Sequence, residues 1–87
     1  MAQPPPVILI TGGAQGIGKG ITAHFLNSGW RVVVLDQDTD AIDACRMDLG
    51  DPDNLLLIRA DVSQEEDVIS AVAEAVEWGE GLDALVN

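Results

Sequence analysis

Glycines at positions 12, 16 and 18, set between a purely apolar run and a segment of four-residue apolar spacing, constrain this chain more than any other feature. Val7-Ile8-Leu9-Ile10-Thr11 has no polar residue until its end, the pattern of a strand covered on both faces. Gly12-Gly13 stops it. From Gly16 the period changes: Ile17, Ile21 and Phe25 recur as one helix face requires, and Gly29 follows Ser28 where a helix ends. The chain must therefore pass from a buried strand into a helix within a few residues. Glycine tolerates the backbone conformations that such a turn demands.

The same alternation continues. Arg31-Val32-Val33-Val34-Leu35 predicts a second strand, and Ile42, Cys45 and Leu49 lie at i, i+3 and i+7 of a second helix. Gly50-Asp51-Pro52-Asp53 breaks it before a third strand at Leu55-Leu56-Leu57-Ile58. Ser63-Gln64-Glu65-Glu66 has capping-box spacing ahead of Val68, Ile69, Val72 and Val76, so a third helix is expected to start there. Gly79-Glu80-Gly81 ends it, and Leu82 to Asn87 reads as a fourth strand. The pattern βαβαβαβ, with connections long enough for crossovers, implies an α/β class with a doubly wound parallel sheet. Right-handed crossovers give the order 3-2-1-4, with a ligand crevice beyond the carboxyl end of the first strand. Residues 1–6, rich in proline, read as an extended leader, and 7–87 as part of a single domain.

Composition narrows the function classes. At 47% hydrophobic the chain has enough apolar surface to fold, and a net charge of −11 opposes nucleic-acid backbones and anionic membranes. It contains no 18-residue apolar run, and its start has neither the basic nor the apolar stretch of a signal peptide, so a cytoplasmic address is expected. The single Cys45 cannot form an internal disulfide or make a zinc site alone. Charge is unevenly spread: residues 1–35 carry +2 and no acid, while 36–87 carry −13. The first third tolerates an anion.

Three readings compete for the loop Thr11 to Gly20. It is a tight turn only; it is the phosphate loop of a nucleoside triphosphatase; or it binds a dinucleotide. Gly13, Gly18 and Lys19 satisfy G-x-x-x-x-G-K, but Gly20 stands where Ser or Thr would hold magnesium. For a dinucleotide, the backbone N–H groups at a helix start face the pyrophosphate and glycines let it approach. Asp36 ends the second strand 18 residues after Gly18, near the separation expected for an acid that accepts ribose hydroxyls. Asp36, Asp38 and Asp40 also imitate the start of a calcium loop, but Ala41 and Met47 replace its required Gly and Glu.

Thr11-Gly12-x-x-x-Gly16-Ile17-Gly18 in this setting resembles the cofactor loop of the short-chain dehydrogenase/reductase family, and the resemblance extends over residues 7–87. It implies a Rossmann-type fold of which these residues are the N-terminal, cofactor-binding half. Gly12, Gln15, Gly16, Ile17 and Gly18 would then bind the cofactor, the loop's backbone N–H groups facing its pyrophosphate, and Asp36 would accept from the adenosine ribose. Asp61-Val62 is similar to the family's adenine-contacting pair, and Leu85-Val86-Asn87 to the opening of its Asn-Asn-Ala-Gly motif beside the ribose. NAD is expected over NADP, because Asp36 would repel the extra phosphate and Gln15 stands where NADP-using relatives often carry a base.

The resemblance further implies hydride transfer between NAD(H) and an alcohol or carbonyl substrate, served by a tyrosine, a lysine four residues later and a serine. No tyrosine occurs in this chain, and its one lysine is Lys19 in the loop. The reading therefore expects no catalytic residue and no metal ligand among these 87 residues, which would be inactive alone. It expects a longer protein, with the remainder continuing the chain or standing as a separate one, and a homo-oligomer. A non-catalytic NAD-binding or assembly module is the alternative. Cys45, Trp30 and Trp78 read as packing residues, and His24 as a solvated or packed one with no chemical role.

Overall fold

The computed structural model describes residues 3–87. Its elements are β1 (Val7–Thr11), α1 (Gly16–Asn27), β2 (Arg31–Asp36), α2 (Thr39–Leu49), β3 (Leu55–Arg59), α3 (Glu65–Gly79) and β4 (Ala84–Val86). The strands pair in parallel in the order β3-β2-β1-β4. This is the order that right-handed crossovers require. No helix among the described residues is long and apolar enough to cross a membrane.

The apolar runs of β1 and β2 are continuous because both faces of the sheet are covered. Ile8, Ile10, Val32 and Val34 pack with Ile42 and Cys45 on the face of α1 and α2, while Val7, Leu9, Val33 and Leu35 pack with Ala71 and Ala75 of α3. Cys45 is fully buried, and Trp30 meets the Phe25 ring edge to face at 5.0 Å. Both are packing residues. Ahead of β1, residues Gln3 to Pro6 have no regular structure, yet Arg31 holds them: its guanidinium donates twice to the Pro5 carbonyl, at 3.0 and 2.8 Å, and its N–H donates to Pro6 O at 2.9 Å. Residues 1 and 2 of the expected leader lie outside the described residues.

Three local expectations need correction. In α3 the stripe facing the sheet is Ala71, Ala75 and Gly79, whereas Ile69, Val72 and Val76 are exposed. Small side chains let the helix axis approach the sheet, and a Cβ on Gly79 would already lie 3.0 Å from Val7. Ser63 does not cap α3. Gln64 is its N-cap, and both the N–H and the hydroxyl of Ser63 donate back to Asp61 Oδ1, at 2.9 and 2.7 Å. A nearby carboxylate is the stronger acceptor for that hydroxyl, and Glu65, Glu66 and Asp67 already offset the helix dipole. Finally, β4 is shorter than expected, since Val7 N–H donates to the Asp83 side chain at 2.8 Å in place of a strand carbonyl.

Candidate functional site

The carboxyl ends of β1, β2 and β3 and the start of α1 meet on one side of the sheet. Gly12 N–H donates to Leu35 O at 2.7 Å, which pins the loop after β1 to the end of β2. Gly12 and Gly16 have φ of +66° and +57°, the left-handed region in which a side chain is strained. Gly18 is required for a different reason: a Cβ there would lie 2.1 Å from the Gly12 carbonyl oxygen. The helix start and the loop touch backbone to backbone.

Gln15 is the N-cap of α1, and its side chain makes no cap bond. The first intrahelical bond is Lys19 N–H to Gln15 O at 3.1 Å, so the N–H groups of Gly16, Ile17 and Gly18 have no partner within the helix. The first turn of α1 carries no acid, whereas α2 has the Asp38 cap and Asp40, and α3 has three acids. A pyrophosphate would meet the α1 dipole with no carboxylate in that turn opposing it. Lys19 points elsewhere, forming an ion pair with Asp48 on α2 that holds its ammonium above the ordinary pKa. That orientation, with Gly20 in the magnesium position, argues against a triphosphatase loop.

Asp36, only 5% exposed, ends β2. Its Oδ2 accepts Ala14 N–H at 3.3 Å, and its Oδ1 accepts Asp38 N–H at 3.1 Å and the Gln15 amide at 3.4 Å. Beside it opens a cleft of about 530 Å³ lined by Gly12, Gln15, Asp36, Asp61, Val62 and Ser63, among others. Among the described residues, no Lys, Arg or His lines it. The loop, the end of β2 and the pair after β3 are thus brought together around one cleft. Ile17 is 86% exposed at the mouth of the helix, apart from the packed stripe of Ile21 and Phe25. Asn87 lies outside this cleft. Its Oδ1 accepts the Thr11 hydroxyl at 2.8 Å in an adjoining apolar groove of about 640 Å³, which shares Val62 with the cleft.

The supporting roles of two residues are not legible in the sequence. Thr22, fully buried in α1, places its hydroxyl 3.0 Å from the carbonyls of both Gly13 and Gly18 and so ties the loop to the helix. A threonine four residues after a loop glycine on a buried helix face is the only signal it leaves. Ser63 is the other. Its two donors hold the Asp61 carboxyl, which lines the cleft, below the ordinary carboxylate range. Ser63→Ala, which removes the hydroxyl, is expected to raise the Asp61 pKa, read by carboxyl-carbon NMR across a pH titration. Because a depressed pKa stabilises the folded chain above the unfolded value and loses that effect as pH falls through the folded value, the loss should be smaller and end at a higher pH in the variant.

Comparison with known proteins agrees with this geometry. The family model described as short chain dehydrogenase matches residues 6–87. An uncharacterized oxidoreductase of Mycobacterium bovis is 43% identical over 79 residues, covering 91% of this chain and 32% of the relative. An L-fucose dehydrogenase of Bos taurus is 40% identical, covering 93% of this chain and 29% of the relative. Among solved structures, a 3-ketoacyl-(acyl-carrier-protein) reductase from Brucella melitensis complexed with NADH superposes with a TM-score of 0.84 at 34% identity, covering 92% of this chain and 32% of that one. The chain spans about a third of the length of these relatives. Strand order, glycine loop and sequence similarity agree, and the chain belongs to the short chain dehydrogenase family.

Proposed function

We propose that these residues form the adenosine- and pyrophosphate-binding half of an NAD-dependent oxidoreductase that interconverts an alcohol and a carbonyl substrate. The residues fit a nicotinamide dinucleotide: N–H groups with no partner in the helix begin α1, Gly18 lets the loop sit against the helix, and a buried carboxylate borders a cleft beside them. The chemistry supplied by such a cofactor when bound is hydride exchange with the substrate carbon. This half contributes binding and orientation. Gly16, Ile17 and Gly18 would donate to the pyrophosphate, Asp36 would accept from the ribose, and Asp61 and Val62 would border the adenine.

Proton transfer to or from the substrate oxygen needs a positioned acid or base. The chain has no tyrosine and its lysine is held by Asp48, so we assign that step to polypeptide outside these residues and expect the half alone to be inactive. The working protein we propose is a homo-oligomer in which that further polypeptide completes the active site.

The observation that carries the choice of NAD is the buried Asp36, with Asp38 and Asp61 beside it and no cation lining the cleft. A 2′-phosphate would enter a field of like charge, which costs several kcal/mol when uncompensated. Calorimetric titration of the chain should give NADH an affinity at least about tenfold above that of NADPH, about 1.4 kcal/mol. Equal affinities would overturn the NAD assignment, and binding of magnesium-ATP in preference to either would revive the triphosphatase reading.

A further inference from the structure

We propose that Gln15 is a displaceable plug on Asp36: its amide occupies an acceptor position that a ribose diol needs, so Gln15 sets the affinity for two-hydroxyl ligands. The inference rests on reading the Asp36 cleft as an adenosine site. An ionised carboxylate offers about four acceptor positions. Three are filled here, by Ala14 N–H on Oδ2 and by Asp38 N–H and the Gln15 amide on Oδ1. One remains. A vicinal diol that donates both hydroxyls requires two.

The three resident donors are not equally free to leave. Ala14 is buried, on a loop that Gly12 N–H ties to Leu35, and moving its N–H would drag that loop. Asp38 is the N-cap of α2 and its carboxylate accepts Ala41 N–H at 3.1 Å, so moving it would unseat a helix start. Gln15 is exposed, makes no cap bond, and has the longest of the three contacts. Rotation about its side-chain bonds releases Oδ1 without disturbing any element. Gln15 therefore yields first, and its amide holds the carboxylate in place until a diol arrives. A ligand with a single ribose hydroxyl uses the vacant position and leaves Gln15 where it is.

The test is calorimetry on the chain with ADP and 2′-deoxy-ADP. Gln15→Ala and Gln15→Met, both without the donor, should bind ADP roughly two- to fivefold more tightly, the range expected from releasing one long, exposed hydrogen bond. Affinity for 2′-deoxy-ADP should rise less than that for ADP in both, and Gln15→Ala should not tighten ADP binding in an Asp36→Ala background. Circular dichroism checks that the variants fold. Unchanged or weaker ADP binding overturns the proposal, as does equal tightening of both ligands, which would mean removal of bulk alone. Failure of the underlying reading shows separately: the unaltered chain would bind no ADP, or Asp36→Ala would bind it as well as the unaltered chain does.

Discussion

Gly18→Ala is expected to destabilise the chain and to weaken nucleotide binding by at least about tenfold, whereas Gly20→Ala, two residues further along the same helix, is expected to stabilise it. Both glycines lie in α1, where alanine gains about 0.5–1 kcal/mol from reduced backbone entropy. At Gly20 that gain stands alone, because an added Cβ meets nothing within 4 Å. At Gly18 the Cβ would lie 2.1 Å from the Gly12 carbonyl oxygen and 2.8 Å from its carbon. No side chain can rotate to relieve a contact with backbone, so the loop or the helix start must move. Overpacking typically costs about 1–3 kcal/mol, and a clash with a carbonyl belongs at the upper end. The steric term wins over helix propensity. A shift of the loop also turns the Gly16 to Gly18 N–H groups away from a shared anion, so NADH affinity should fall by at least about tenfold. Urea denaturation and calorimetry on the two variants would show opposite signs in stability and a loss of binding in Gly18→Ala only. A Gly18→Ala chain with unaltered stability and NADH affinity would refute the close approach.

Much of this arrangement is legible because burial on both faces leaves an uninterrupted apolar run, which needs no partner to be recognised. Val7 to Ile10 and Val32 to Leu35 are of this kind, and the handedness of crossovers then decides the order of strands. The glycine spacing is legible for a related reason, since Gly12 and Gly16 mark positive φ and Gly18 marks a contact that only a missing side chain permits. Asp36 could be located by counting from Gly18.

The orientation of α3 could not be read in this way. Val68, Val72 and Val76 form one stripe at four-residue spacing, and Ala71, Ala75 and Gly79 form another. Hydropathy favours the first, but distance to the sheet favours the second, and distance is not written in the period. The contact between Gln15 and Asp36 was hidden too, since it joins residues 21 apart through side-chain geometry. Ser63 illustrates a local conflict: capping-box spacing and a preceding aspartate both claim one hydroxyl, and the charged acceptor takes it.

Asp36→Ala is expected to erase the preference for NADH over NADPH and, separately, to lower stability with no ligand present. The two effects have different origins. Removing the carboxylate leaves the buried Ala14 N–H without its acceptor, and an unpaired buried donor costs about 1–3 kcal/mol. Asp38 N–H and the Gln15 amide are nearer solvent, and water can replace the lost oxygen there. Asp36→Asn separates the two origins. Its one oxygen can serve Asp38 and Gln15, but its NH₂ then faces Ala14 N–H, donor against donor, so much of the stability loss should persist. The formal charge is gone in both variants, so both should lose discrimination against the 2′-phosphate. Binding should reflect the charge, and the urea midpoint should reflect the acceptor at Ala14. If Asp36→Asn kept the full NADH preference, the preference would arise from cleft shape, and the buried carboxylate would be a structural clasp between the loop after β1 and the start of α2.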